Sequence, residues 1–253
     1  MYPWPLVERV KRCWDRIENW LRHNYPEALV TLREGASEAD IEDLENALKV
    51  KLPLPTRILY RFHNGQDLKG RYVDSVRGFP FGLIGGYTFY EQTVNVYLLP
   101  LRQVITETKS IIQELGFSRR SKFIVVASSS TLVHKVFFLN CASGQLFVGT
   151  ANLREDGEMI PCVPSALINS VHEYNTDQQQ DAMLLWLEEH VRRLENGIIK
   201  LRETNNIRSI SLFPEEPPFC SVATTNGVRV SFTFRYYSFS INYMYHLCPG
   251  PSF

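Results

Sequence analysis

An excess of either charge is missing from this sequence: 27 Lys and Arg stand against 27 Asp and Glu, for a formal net charge of zero. A balanced chain has no bulk attraction to nucleic acid or to an anionic membrane surface. Long hydrophobic runs are missing too. The longest apolar stretches, such as Val133–Leu139 with His134 and Lys135 inside it, fall far short of the roughly 20 residues a spanning helix needs. Cysteine is sparse. Cys13, Cys141, Cys162, Cys220 and Cys248 are odd in number and widely spaced, without a Cys-x-x-Cys pair. That spacing supports neither a disulfide framework nor a zinc site, and it predicts reduced thiols in the cytoplasm or nucleus. The start, Met1-Tyr-Pro-Trp-Pro-Leu-Val-Glu-Arg, shows no basic segment followed by an apolar one, and no Asn-x-Ser/Thr sequon occurs.

Catalytic constellations are equally scarce. The six histidines, His23, His63, His134, His172, His190 and His246, form no pair with metal-ligand spacing. His172-Glu173 and Glu188-Glu189-His190 come nearest to an acid–base cluster, but both fall in stretches read as helical, where solvated faces are expected. Ser128-Ser-Ser130 is no nucleophile elbow. Cys141, in a hairpin connection, is the thiol expected to be most open to solvent. Gly82-Leu-Ile-Gly-Gly-Tyr87 has neither the Gly-Lys-Ser/Thr of a phosphate loop nor the Gly order of a dinucleotide site. Arg119-Arg-Ser-Lys122 is a small basic cluster, and Arg9, Lys11, Arg12 and Arg16 alternate with Glu8, Asp15 and Glu18, as on a solvated helix face. The sequence therefore predicts no enzyme, cofactor, metal or nucleic-acid partner.

What is present is a chain of 253 residues, 44% hydrophobic, long enough to bury a core without staples. Leu6, Val7, Val10, Trp14, Ile17 and Leu21 recur at helical steps. Ser37 is placed to cap a second helix carrying Ile41, Leu44 and Leu48. Leu52-Pro53-Leu54-Pro55 reads as an extended connector, followed by a short helix over Thr56–His63. Residues 65–86 are glycine-rich and irregular. Val94–Leu101 reads as a strand, and Val104, Ile105, Thr108, Ile111, Ile112 and Leu115 as a further helix. Phe123–Ala127, Val133–Leu139 and Gln145–Val148 read as strands, the last two joined as a hairpin. Ser165–Tyr174 and Asp177–Leu201 read as helices, with Thr176 as a cap. Helices, then strands, then helices predict an α+β domain with an antiparallel sheet. Phe213-Pro-Glu-Glu-Pro-Pro-Phe219 breaks regular structure. The predicted organisation is a domain over 1–205, a Pro-rich linker over 206–219, and a β fragment over 220–253.

Gly35-Ala-Ser-Glu-Ala-Asp-Ile-Glu-Asp-Leu-Glu, Leu52-Pro-Leu-Pro-Thr-Arg-Ile-Leu-Tyr-Arg-Phe-His-Asn-Gly-Gln66 and Gly82-Leu-Ile-Gly-Gly-Tyr87 resemble the SUKH superfamily, the Smi/Knr-type domain. Met1-Tyr-Pro-Trp, Val94-Asn-Val-Tyr-Leu-Leu-Pro-Leu101 and Asp177-Gln-Gln-Gln-Asp-Ala-Met-Leu-Leu-Trp-Leu-Glu-Glu-His190 resemble the plant F-box proteins that carry this domain before an ApaG domain. Ser209-Ile-Ser-Leu-Phe-Pro-Glu is similar to the lead into that second domain. The resemblance implies a SUKH-like antiparallel sheet packed with helices and an incomplete, ApaG-like β-sandwich. It also implies a protein-interaction role, like the substrate-recognition part of an SCF-type ubiquitin ligase. The alternative is a stand-alone SUKH scaffold that regulates a signalling partner. Nothing ahead of Met1 resembles an F-box, so binding to the ligase scaffold is not expected of this chain. Aromatic residues gather around the glycine-rich segment, as in a binding hot spot, or else half of them fill the core. The candidate partner-binding residues are Phe79, Phe81, Gly82, Gly85, Gly86, Tyr87 and Tyr90.

Overall fold

Helix α1 (Trp4–Asn24) buries the stripe Leu6, Val10, Cys13, Trp14, Ile17 and Leu21, so the period seen in the sequence is the side that meets the core. The structure, a computed structural model, describes residues 2–67, 81–89, 92–114, 122–129, 135–150, 153, 159–169, 172, 179–204, 207–212, 220–225, 228–233 and 245–247. After the single turn α2 (Pro26–Leu29), α3 (Glu38–Leu48) starts with a reciprocal cap. The Ser37 hydroxyl accepts from the Asp40 amide, and the Ser37 amide donates to the Asp40 carboxylate. Helix α4 (Leu54–Phe62) starts earlier than expected. The extended connector ends at Pro53, because Pro55 fits a first helical turn, where a missing N–H costs no hydrogen bond.

The sheet is a six-stranded antiparallel meander in sequence order: β1 (Gly85–Phe89), β2 (Gln92–Leu98), β3 (Phe123–Ser129), β4 (Lys135–Asn140), β5 (Leu146–Thr150) and β6 (Ile160–Pro161). Strand β1 was not anticipated. Two glycines hid it from propensity, and its register, Gly86 opposite Asn95 and Tyr87 opposite Val94, depends on its neighbour. Helix α5 (Leu101–Glu114) lies against β3, and the buried Thr108 hydroxyl accepts the Val125 amide at 2.9 Å. Of the helix expected over Ser165–Tyr174, the described residues show a 3₁₀ turn at Ser165–Leu167 and a bridge from Asn169 to Gln180, and residues 170 and 171 lie outside the described residues. Glu173 and Tyr174 lie outside the described residues.

Helix α6 (Ala182–Glu195) is shorter than expected at both ends. Its cap is Asp181, not Thr176, which lies outside the described residues. One Asp181 oxygen accepts the Leu184 amide at 2.9 Å, while the other accepts the Thr56 amide at 2.9 Å and the Thr56 hydroxyl at 2.6 Å. A single fully buried carboxylate thus serves the first turns of α4 and α6, both of which present positive dipole ends to it. Burial pushes its carboxyl up, against the hydrogen bonds from Thr56 and Leu184 that pull it down. Gly197, at φ 66°, closes α6, and β7 (Leu201–Thr204) then pairs with β8 (Ile207–Ile210).

Lys11 and Arg12 of α1 are exposed, as their spacing implies, but Arg9 and Arg16 are less solvated. Arg9 forms a two-pronged pair with Glu188, each contact 2.7 Å, and Arg16 pairs with Glu195, so both link α1 to α6. With helices packed on an antiparallel sheet, the class is α+β, as the sequence predicts. Two compact units divide the chain, Met1–Leu212 and Phe213–Phe253. In the second, β9 (Cys220–Thr225), β10 (Val228–Thr233) and β11 (Tyr245–Leu247) form a three-stranded antiparallel sheet with β10 in the middle. The Pro-rich segment 213–219 lies outside the described residues. Among the described residues no helix is long and apolar enough to cross a membrane.

Candidate functional site

Of the residues singled out by the sequence, Phe79 and Tyr90 lie outside the described residues. Gly82, Gly85 and Gly86 are buried. A side chain at Gly82 would come within 2.5 Å of the Val96 carbonyl oxygen, and one at Gly86 within 2.3 Å of the Asn95 side chain. These glycines allow β1 and its approach to lie tight against β2 and offer no side-chain surface of their own. Phe81 packs its ring 5.7 Å from that of buried Tyr25. Tyr87 is half-buried, with the Lys135 ammonium 5.7 Å from its ring centroid.

Gln66, which the sequence placed only just beyond a helix stop, holds this segment in place. Its amide donates to the Phe81 carbonyl at 2.8 Å and to the Thr31 hydroxyl at 2.7 Å, and it accepts the Leu83 amide at 2.9 Å. From the other side comes His190. Expected on a solvated face, it is in fact buried, stacked on Trp186 at 4.9 Å, and its Nε2 lies 2.9 Å from the Leu83 carbonyl. Only an N–H can satisfy that oxygen, so the neutral ring donates through Nε2. Burial drives the His190 pKa down to about 4, against the Leu83 hydrogen bond that raises it. The unfolded chain takes up this proton near pH 6.5 and the folded chain does not, so stability present at neutral pH is lost as pH falls from about 6.5 to about 4. The loss approaches about 3 kcal/mol. Melting curves from pH 7.5 to pH 4 on the natural chain and on His190→Gln should converge or cross as the pH falls. A stability difference that stays constant across that range would show that His190 is not held neutral.

Thiol chemistry finds no support at the described cysteines. Cys141 is buried, not open to solvent, because the turn after β4 folds it inward, and burial pushes its thiol up. Burial likewise pushes Cys13 and Cys162 up to about 12. Among the described residues no group of three His, Cys, Asp or Glu is placed to hold a metal ion.

At the C-terminal end of α3 the surface opens into a cleft of about 500 Å³. Lys49, Lys51, Lys122 and His172 line it over a floor that includes Val50 and Cys141, and Glu45 is the acidic group of the described lining. Glu45 is 3% exposed. Its carboxylate takes Lys51 at 2.6 Å on one oxygen, and Arg57 at 2.8 Å and the Leu52 amide at 3.0 Å on the other. Burial pushes that carboxyl up, but the bonds from Lys51, Leu52 and Arg57 outweigh it and hold it below the usual carboxylate range. The Lys122 ammonium donates to the Lys49 carbonyl at 2.7 Å, and His172 Nε2 lies 2.7 Å from the Cys141 carbonyl. Lys49 caps α3 in the left-handed region, at φ 57°. Among the described residues it makes no ion pair. The sequence offered no signal for this cleft beyond Lys122, because its walls come from segments more than seventy residues apart.

Residues 35–165, just over half of the chain, match the SMI1 / KNR4 family (SUKH-1). F-box protein SKIP16 of Arabidopsis thaliana is 57% identical over 231 residues, which cover 91% of this chain and 51% of that protein. KNR4/SMI1 homolog 2 of Debaryomyces hansenii is 35% identical over 88 residues, 34% of this chain and 14% of that protein. F-box only protein 3 of Homo sapiens is 39% identical over 59 residues, 23% of this chain and 12% of that protein. The chain thus spans about half the length of the plant relative and a smaller share of the other two. With its helices, meander and glycine-rich strand in place and the match running from Gly35 to Ser165, the chain belongs to the SMI1/KNR4 family (SUKH-1).

Proposed function

We propose that this chain is a non-enzymatic protein-interaction module, the substrate-recognition part of an F-box subunit in an SCF-type ubiquitin ligase. The observation that carries the reading is the 57% identity to F-box protein SKIP16 across 91% of the chain. The reading asks for no metal ion, and among the described residues no group of three His, Cys, Asp or Glu is placed to hold one. In this reading no step of ubiquitin transfer is carried by residues 1–253. The chain works in the cytoplasm or nucleus, and its strands after Phe213 belong to an ApaG-type sheet.

The test joins the chain to an F-box that binds the ligase scaffold. Proteins captured by the chain should be ubiquitinated in a reconstituted reaction only when that F-box is attached. Capture without F-box-dependent ubiquitination would favour the stand-alone scaffold, a reading that the match to a fungal relative bearing no F-box in its name keeps in view. A turnover on a small substrate that disappears with one His, Cys or Ser would overturn the non-enzymatic assignment.

A further inference from the structure

The chain as a whole is neutral, yet the described lining of the cleft at the end of α3 sets three lysines against one glutamate, an excess of two positive charges. That glutamate is spent. Both Glu45 oxygens are engaged, and its side chain is turned away from solvent. The three lysines are exposed, so their charge remains available at the surface. Lys51 uses one of its three donors on Glu45, Lys122 uses one on the Lys49 carbonyl, and Lys49 has no ion-pair partner among the described residues. Lys49 also occupies a left-handed cap, where glycine or asparagine would serve the helix better. A lysine at that position weakens the helix end and adds charge to the cleft.

We infer that this cleft docks an acidic segment of the protein partner, an extended run of Asp and Glu side chains. The inference rests on the protein-interaction reading above. Lysines are compact point charges without the planar fork that clamps a single phosphate, so several separate carboxylates suit them better. No Phe, Tyr or Trp is among the described lining residues, and the one ring there, His172, is tied to the Cys141 carbonyl, so the wide stacking platform of a base-binding groove is missing from the described lining. Val50 and Cys141 lie buried beneath the ammonium groups, and this apolar floor lowers the local dielectric and strengthens each contact.

The test uses the full chain and fluorescence anisotropy. The probe is a labelled peptide of about eight Asp and Glu residues, roughly 26 Å when extended. The double variant Lys49→Asn/Lys122→Gln should keep the melting temperature, since asparagine tolerates the left-handed cap, and should bind the probe about tenfold more weakly. Raising the salt from about 50 mM to about 300 mM should also weaken binding to the natural chain. Equal affinity of variant and natural chain overturns the inference. So does equal binding of an Asn/Gln peptide of the same length, or tighter binding of a singly phosphorylated neutral peptide or of single-stranded RNA. If the double variant still captures the same protein partners as the natural chain, the docking place is wrong and the interaction reading stands. If the natural chain captures none, that reading itself fails.

Discussion

Replacing Trp14 with alanine should lower the stability of the first unit by about 3–5 kcal/mol. Trp14 is 1% exposed and belongs to the fully buried set. Its indole N–H donates to the Leu59 carbonyl at 3.2 Å, and its ring meets that of His63 edge-on at 4.7 Å. Helix α1 packs on α4 and α6, so the cavity would open where three helices converge, a place that cannot collapse without moving one of them. Truncation also removes one of the two donors to the Leu59 carbonyl, which keeps the His63 amide at 3.2 Å. For a domain holding about 5–15 kcal/mol in total, the loss is large. Urea unfolding should show the midpoint displaced with an unchanged slope, and Trp14→Phe should cost distinctly less. An unmoved midpoint in Trp14→Ala would mean that α1 is not docked.

A chain ended after Asn205 should melt about 10 °C below one ended after Leu212. The first loses β8 and with it Ile210, which is fully buried. Burying an isoleucine contributes about 2–3 kcal/mol. Three further hydrogen bonds disappear with the segment, the last of them part of the bridge between Gly86 and Ser211. The Tyr25 hydroxyl loses the Arg208 carbonyl, the Lys200 carbonyl loses the Ser211 amide, and the Gly86 carbonyl loses the Leu212 amide. Each hydrogen bond contributes about 1 kcal/mol or less. Edge strand β1 would then present its backbone to water on the side that β8 now covers. The sequence places the domain end near 205 because of the prolines in Phe213–Phe219, whereas Ile207, Ile210 and Leu212 belong to the first unit. Differential scanning of the two chains decides the matter, and coincident transitions would show that β8 is not part of the first unit.

Glu188-Glu189-His190 shows why three consecutive polar residues need not share one solvated face. Successive helical residues point about 100° apart. Glu188 therefore meets Arg9 of α1, Glu189 stays outside with Arg192 and Arg193, and His190 turns inward to Leu83. A neighbourhood in sequence becomes three separate environments, none of which is a catalytic pair. Cys141 teaches the same lesson in a turn. Hairpin connections are usually solvated, but Cys141 is drawn inward while its amide donates to the Lys122 carbonyl at 2.8 Å.

The sequence by itself determined the α+β class, the buried stripe of α1, the Ser37 cap and strands β3, β4 and β5. Those features follow from period and capping, which are properties of a few consecutive residues. Tertiary structure alone decided that a glycine pair would be a strand, since Gly85 and Gly86 gain their register from β2. It alone gave Asp181 two helices to cap and placed Lys122 against the end of α3, because those contacts join residues separated by 73 and 125 positions. Burial and charge convergence of that kind depend on which distant surfaces meet, and no local pattern carries that information.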